Sequence, residues 1–173
     1  LFALRRIETP EPLDDFFFDP PYRNLIGSAR EGKAVVVNLV VGRDIKQLDM
    51  PGLPHLGSGI SWTWNERPVM ATPLLKAGRI NVLDMQDWSL IKSIETPGPG
   101  FFMRSHENSR YAWTDSMMSP KAKDTLTLID KATLEPVASL REPGKTLAHI
   151  EFTKDGRYAL ASVWEMDGAI IVY

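Results

Sequence analysis

The chain has no cysteine. That excludes a disulfide scaffold, a thiolate metal site and a covalently attached c-type haem within its 173 residues. It leaves the compartment open. No apolar run reaches the roughly 18 residues a spanning helix needs. Nor does any stretch carry the i, i+3, i+4, i+7 apolar spacing of a long amphipathic helix. Charge of one sign is missing too: the net charge is -2, with acids and bases mixed along the chain. Nucleic acid and anionic membranes are therefore not expected partners. There is no signal-peptide pattern, but the chain opens at Leu1 and stops at Tyr173 inside an apolar run. Both ends read as cut, so missing targeting information carries no weight.

What is present is ordinary globular composition, 43% hydrophobic and 24% charged, written as short β-rich runs between turn signals. AVVVNLVVG reads as a buried strand rich in β-branched residues, and Leu1 to Ile7 as a last strand of a blade. The order of runs recurs. Gly52, Gly98 and Gly144 each follow a proline at a spacing of 46 residues, which Asp84 and Asp130 share, as do Ile45, Ile91 and Val137. SRYAW and GRYAL match 47 residues apart. A unit of four short strands in roughly 40 to 50 residues is the period of a β-propeller. The fold class is all-β, and residues 1–173 read as a partial propeller domain of about three complete blades plus parts of two more. An open set of blades exposes strand edges, so the chain is expected to be part of a larger ring whose first and last strands here do not pair.

The three histidines, His55, His106 and His149, all follow the Pro-Gly turn within a few residues. Equivalent positions in successive blades lie at similar radius and height, so the three are expected to converge near the axis at one face. Iron ligation or proton delivery is a chemical reason to gather them. The plainer reading is that a histidine is more often a hydrogen-bonded structural residue. No HxxxH or HExxH pair occurs, so the spacing is no zinc signature. Arg104 shares a strand face with His106 by alternation and suits bidentate binding of a carboxylate; an ordinary ion pair is the alternative. Trp62 and Trp113 could stack on a flat cofactor, or fill space between blades. Arg110 and Arg157, next to Tyr111 and Tyr158, read as structural.

HLGSGISW, TPGPGFFMRSHENSRYAWTD and PGKTLAHIEFTKDGRYALASVWEMDGAIIVY resemble the C-terminal half of the haem d1 propeller family, over about Asp14 to Tyr173. That family includes cytochrome cd1 nitrite reductase and its relatives in haem d1 biosynthesis, the NirN and NirF types; the strings look closest to NirN. The resemblance implies an eight-bladed propeller, haem d1 and its iron as cofactor, and a periplasmic protein of denitrifying bacteria. A c-type haem would sit only in a domain outside this chain. It implies an oxidoreductase, dihydro-haem d1 dehydrogenase, that removes two electrons and two protons from a propionate side chain to give an acrylate. The alternatives are a cytochrome cd1-type nitrite reductase forming nitric oxide, and a non-catalytic propeller for protein binding or haem delivery. On this resemblance His149 and His55 are candidate iron ligands or acid/base residues, and His106 lines the pocket and is a candidate catalytic residue. Arg104, Trp62 and Trp113 are candidate cofactor-binding residues. Implied partners are haem d1 or its dihydro precursor, other haem d1 maturation proteins, or an electron-transfer cytochrome.

Overall fold

The computed structural model describes residues 4–173. Fifteen strands form four antiparallel sheets in chain order. The first holds β1 (Asp15–Phe18), β2 (Asn24–Ala29), β3 (Lys33–Asn38) and β4 (Arg43–Asp49). The second holds β5 (Ile60–Trp64), β6 (Arg67–Pro73), β7 (Arg79–Asp84) and β8 (Leu90–Glu95). The third holds β9 (Met103–Ser105), β10 (Tyr111–Asp115), β11 (Thr125–Asp130) and β12 (Glu135–Arg141). The fourth holds β13 (Leu147–Phe152), β14 (Ala159–Val163) and β15 (Ile170–Val172). Among the described residues the only helical element is one 3-10 turn, Leu56–Ser58.

Burial shows how the sheets sit. The middle strands are buried on both faces, as in β3, β7 and β11, whereas β4 alternates and β12 is largely exposed. Two-sided burial requires a neighbouring sheet on each side. The cores supply it. Ile26 and Val36 of the first sheet pack with Met70 and Leu83 of the second. Val69 and Val82 pack with Ala112 and Ile129 of the third. Trp113 and Leu126 pack with Ile150 and Ala161 of the fourth. Each of the first three sheets is thus cemented face-on to the next, with its fourth strand outermost. That is the blade stacking of a propeller. Strands β1 and β15 each have one partner, β2 and β14, and do not pair with each other.

The repeat has a physical core of its own. Asn38, Asp84 and Asp130 stand 46 residues apart at the ends of β3, β7 and β11. Each accepts, through its side-chain oxygen, the amide two residues on. Each also accepts through its main-chain carbonyl the amide four residues on, from Gly42, Trp88 and Leu134. Those three residues have φ of 75°, 59° and 57°. The side-chain bond closes a local turn, and the left-handed residue sends the chain back antiparallel. Two of the blades add an arginine at the start of the second strand, Arg67 in β6 to Asp84 and Arg110 just before β10 to Asp130. The first blade substitutes a neutral pair, with Asn38 donating to Asn24 at 3.1 Å.

Two sequence expectations change. AVVVNLVVG is not one strand. It stops at Asn38, because the Asn38 side chain captures the Val40 and Val41 amides at 3.0 Å and turns Leu39 to Gly42 out of the ladder. Val40 and Val41 are exposed despite their β-branched side chains. The strand expected over Leu1 to Ile7 lies partly outside the described residues. From Leu4 to Ile7 no strand forms, and Arg5 instead donates its guanidinium to the carbonyls of Leu39 and Val40.

Candidate functional site

The inner strands β5, β9 and β13 can be aligned through their ladders. Asp84 and Asp130 face Val69 and Tyr111, so Ala71 corresponds to Trp113 and their partners Ile60 and Arg104 correspond as well. On that alignment His106 stands where the second blade has Trp62, and the three histidines are not equivalent. His55 precedes the 3-10 turn that leads into β5. His149 lies inside β13, where the pairing skips from Ala148 to Ile150 and leaves it out of the ladder. His106 follows the other end of β9.

The structure brings two of the three together. The His55 ring lies 4.0 Å from the Phe101 ring and 6.4 Å from Phe102. Phe102 lies 4.9 Å from His149 and 6.4 Å from Trp164, which is 57% exposed. The result is an aromatic arc, His55–Phe101–Phe102–His149, with Trp164 at its edge. His55 Nδ1 is 2.6 Å from the Phe101 carbonyl oxygen. A carbonyl only accepts, so Nδ1 carries the hydrogen and Nε2 keeps its lone pair. His149 has φ 50°, a left-handed conformation that a histidine adopts at some cost. Its side chain is 44% exposed, and its Nε2 is 3.3 Å from Glu151 Oε1.

Arg104 belongs to this group. Its Nε donates to the same Glu151 oxygen at 3.0 Å, across the boundary between the third and fourth sheets. The guanidinium therefore stands next to His149, already paired with a carboxylate.

His106 does not belong, which corrects the expectation that three histidines share one mouth. Four residues of extended chain separate it from Phe102, on the order of 13 Å. Both its ring nitrogens are engaged: Nδ1 accepts from the Asn108 amide at 3.1 Å, and Nε2 donates to the Lys154 carbonyl at 3.2 Å. Its ring also occupies the space where a side chain at Gly156 would go. With no free lone pair it neither ligates nor takes a proton; it fastens the β9 turn to the β13 hairpin. An open groove of about 850 Å³ lies beside it, lined by Trp62, Trp64, His106 and Lys131 among others, and includes neither His55 nor His149.

The tryptophans resolve toward packing. Trp113 is 7% exposed and packs edge-on against Phe152 and near Tyr173 in the core, so it has no free face for a cofactor. Trp62 and Trp64 donate their indole N–H groups to the Lys131 and Ala132 carbonyls of the third sheet, which fixes them as inter-blade struts.

Asp115 was not singled out by sequence reasoning. At the end of β10 it is 0% exposed. Its carboxylate accepts the amides of Phe101 at 2.8 Å, Phe102 at 3.1 Å and Met117 at 3.3 Å. Burial pushes its pKa up to about 6, against the opposing pull of those amides. The available signal was positional: with Asp84 and Asp130 aligned, Asp115 stands where the second blade has Pro73. Phe101, Phe102 and Glu151 were also passed over, because neither aromatics nor a lone glutamate stand out in a β sequence.

The arrangement can hold a flat, anionic, metal-bearing ring. It offers an aromatic floor, one half-exposed imidazole, a second imidazole with a fixed free nitrogen, and a guanidinium. Among the described residues no group of three or more histidines and carboxylates converges as a metal-binding cluster. Among the same residues no helix is long and apolar enough to cross a membrane.

Comparison with known proteins bears on that chemistry. A family model described as "Cytochrome D1 heme domain" matches residues 2–173. A curated relative from Pseudomonas aeruginosa, "Dihydro-heme d1 dehydrogenase", is 50% identical over 99% of this chain and 35% of its own length. The solved structure of dihydro-heme d1 dehydrogenase NirN in complex with DHE superposes with a TM-score of 0.95 at 50% identity, over 99% of this chain and 37% of that one. Hydrazine synthase of Kuenenia stuttgartiensis superposes at 0.75 with 14% identity, over 99% of this chain and 49% of that one, a likeness of fold alone. The chain spans about a third of the length of the curated relative it matches.

Proposed function

The chain belongs to the cytochrome D1 heme domain family, and from that premise we propose that it forms the substrate-facing part of a dihydro-haem d1 dehydrogenase. The observation that carries this reading is the arc from His55 to His149 around Phe101 and Phe102. The 50% identity to a protein of that name favours it over nitrite reduction.

The reaction takes two electrons and two protons from a propionate side chain and leaves an acrylate, the electrons passing to an external electron-transfer cytochrome. The iron macrocycle of the substrate would supply their path when bound. The residues of this chain supply position and proton transfer. His149, half-exposed and turned out of its ladder, is the residue for the iron; its one polar side-chain contact, to exposed Glu151, is easily exchanged. His55 is the residue for the proton. The Phe101 carbonyl fixes its tautomer and aims the bare Nε2 away from the loop, as a general base requires. Arg104 neutralises a macrocycle carboxylate, exchanging Glu151 for it. Phe102 and Trp164 offer apolar surface to the ring and exclude water from it. The same reading places the protein in the periplasm, with an electron-transfer cytochrome or haem d1 maturation proteins as partners.

The test is titration of the intact protein with haem d1, followed by absorption spectroscopy. His149→Ala should abolish the ligand-dependent spectral change, while His55→Ala should keep it and lose turnover of dihydro-haem d1. Unchanged spectra in His149→Ala would sink ligation by that residue. Nitric oxide formation from nitrite at a rate exceeding dehydrogenation would favour a reductase instead.

A further inference from the structure

The loop between the two histidines of the arc is organised by a single buried side chain. His55 is oriented by the Phe101 carbonyl. The Phe101 and Phe102 amides, on either side of that carbonyl, both donate to Asp115. His149 sits on the neighbouring sheet, turned out of its ladder, with its ring 4.9 Å from the Phe102 ring. Gly100 is part of the arrangement: a side chain there would run into the Asp115 carbonyl, so the loop can lie against the end of β10 only with glycine at that point. Pro73, the equivalent position of the second blade, has no side-chain acceptor.

We propose that Asp115 is a positioning residue that sets the separation and orientation of His55 and His149 by holding the Phe101–Phe102 main chain, whose carbonyl orients His55 and whose Phe102 ring packs on His149. It acts through the peptide groups, as outer partners of ligating residues do. A carboxylate has two oxygens and about four acceptor directions, which suits the fan of amides from Phe101, Phe102 and Met117. The acid costs burial to keep at this place, and a hydroxyl would fill β10 without that cost. The proposal rests on the reading that these two histidines form the site. Its test therefore uses the protein without haem.

The experiment is nitrogen NMR of the intact protein labelled at histidine, comparing wild type with Asp115→Asn. The asparagine keeps the shape, but replaces one acceptor oxygen with a donor that faces amide hydrogens. The ring nitrogens of His55 should move from a single Nδ1–H tautomer toward a mixture, and the His149 signals should shift. His106, tied to Asn108 and Lys154 at the far end of β9, should stay put and acts as the internal control. Loss of the His55 and His149 positions with His106 unmoved supports the proposal. Unmoved His55 and His149 in the folded variant overturn it. Hydrogen exchange of the wild-type protein gives a variant-free check: the Phe101 and Phe102 amides should both be strongly protected, and exchange of either at the rate of open chain would overturn the proposal even if Asp115→Asn failed to fold. Haem d1 affinity of Asp115→Asn should fall about 10- to 100-fold. Failure of that last arm alone, with the NMR result standing, would fault the haem reading rather than the positioning role.

Discussion

Arg104 and His149 share one carboxylate oxygen: Glu151 Oε1 lies 3.0 Å from the Arg104 Nε and 3.3 Å from the His149 Nε2. The three side chains come from two sheets, so the link is also a contact between blades. Glu151 is about half exposed, so the pair adds at most about 1 kcal/mol to stability. Its value is as a placeholder that keeps a guanidinium and an imidazole oriented.

Glu151→Gln should therefore leave thermal stability nearly unchanged while altering haem binding. With the carboxylate gone, Arg104 is no longer claimed by an internal acid, and affinity for haem d1 should rise a few-fold at low salt. Arg104→Ala should lower it about tenfold or more, since a hydrogen bond to a charged group is worth roughly 1.5–3 kcal/mol. Equilibrium titration at two salt concentrations checks both. Equal affinities for all three proteins would remove Arg104 from the site.

His106→Ala should keep the haem d1 spectrum and lose some stability, the reverse of His149→Ala. One hydrogen bond of its ring joins the β9 turn to the β13 hairpin at the Lys154 carbonyl, and the other closes the turn locally on the Asn108 amide. Their loss should lower the melting temperature by a few degrees. A lost spectrum with unchanged melting would place His106 at the haem after all.

The contrast between His106 and the other two shows what could be read from the chain. The 46-residue period was legible because turn chemistry repeats: Asn38, Asp84 and Asp130 do the same job in each blade. The histidines looked alike because all follow the Pro-Gly turn, but they follow Gly52, Gly98 and Gly144 at offsets of 3, 8 and 5 residues. Unequal offsets along extended chain put side chains at different heights. The bulge at His149 shifts its own register again. Neither the bulge nor the buried acid at Asp115 has a one-dimensional signature, because both are defined by what a neighbouring sheet presents.

The turn acid of the third blade offers a cleaner stability test. Asp130 has its pKa lowered, first by the Ala132 amide and then by Arg110. Asp130→Asn should retain the acceptor for Ala132 and lose only the ion pair, with a small change in the denaturation midpoint. Asp130→Ala should remove the acceptor for Ala132 and Thr133 as well, and lower the midpoint by clearly more. The first blade already runs on Asn38 without an arginine, which is why the asparagine variant should fold. Equal losses in the two variants would show that Arg110, not the turn, is what Asp130 serves.

Asp115 leaves a pH signature opposite to that of the other shifted carboxylates. Asp124, Asp130, Asp155 and Glu165 have lowered pKa values, so their stabilising effect is lost only as pH falls through the acid range below about 4. Asp115 is raised from the ordinary aspartate value to about 6. In the folded protein it holds its proton where the unfolded chain has lost it. Its contribution is therefore fully present below the unfolded value near pH 4, and is lost as pH rises through about 6. A shift of about two units corresponds to roughly 2–3 kcal/mol. The wild type should lose melting temperature between pH 4 and pH 6, and Asp115→Asn, which has no proton to lose, should be flat across that window. A wild-type curve that rises steadily over the same range would mean that the carboxylate is ionised in the folded protein well below pH 6, held so by the amides of Phe101, Phe102 and Met117.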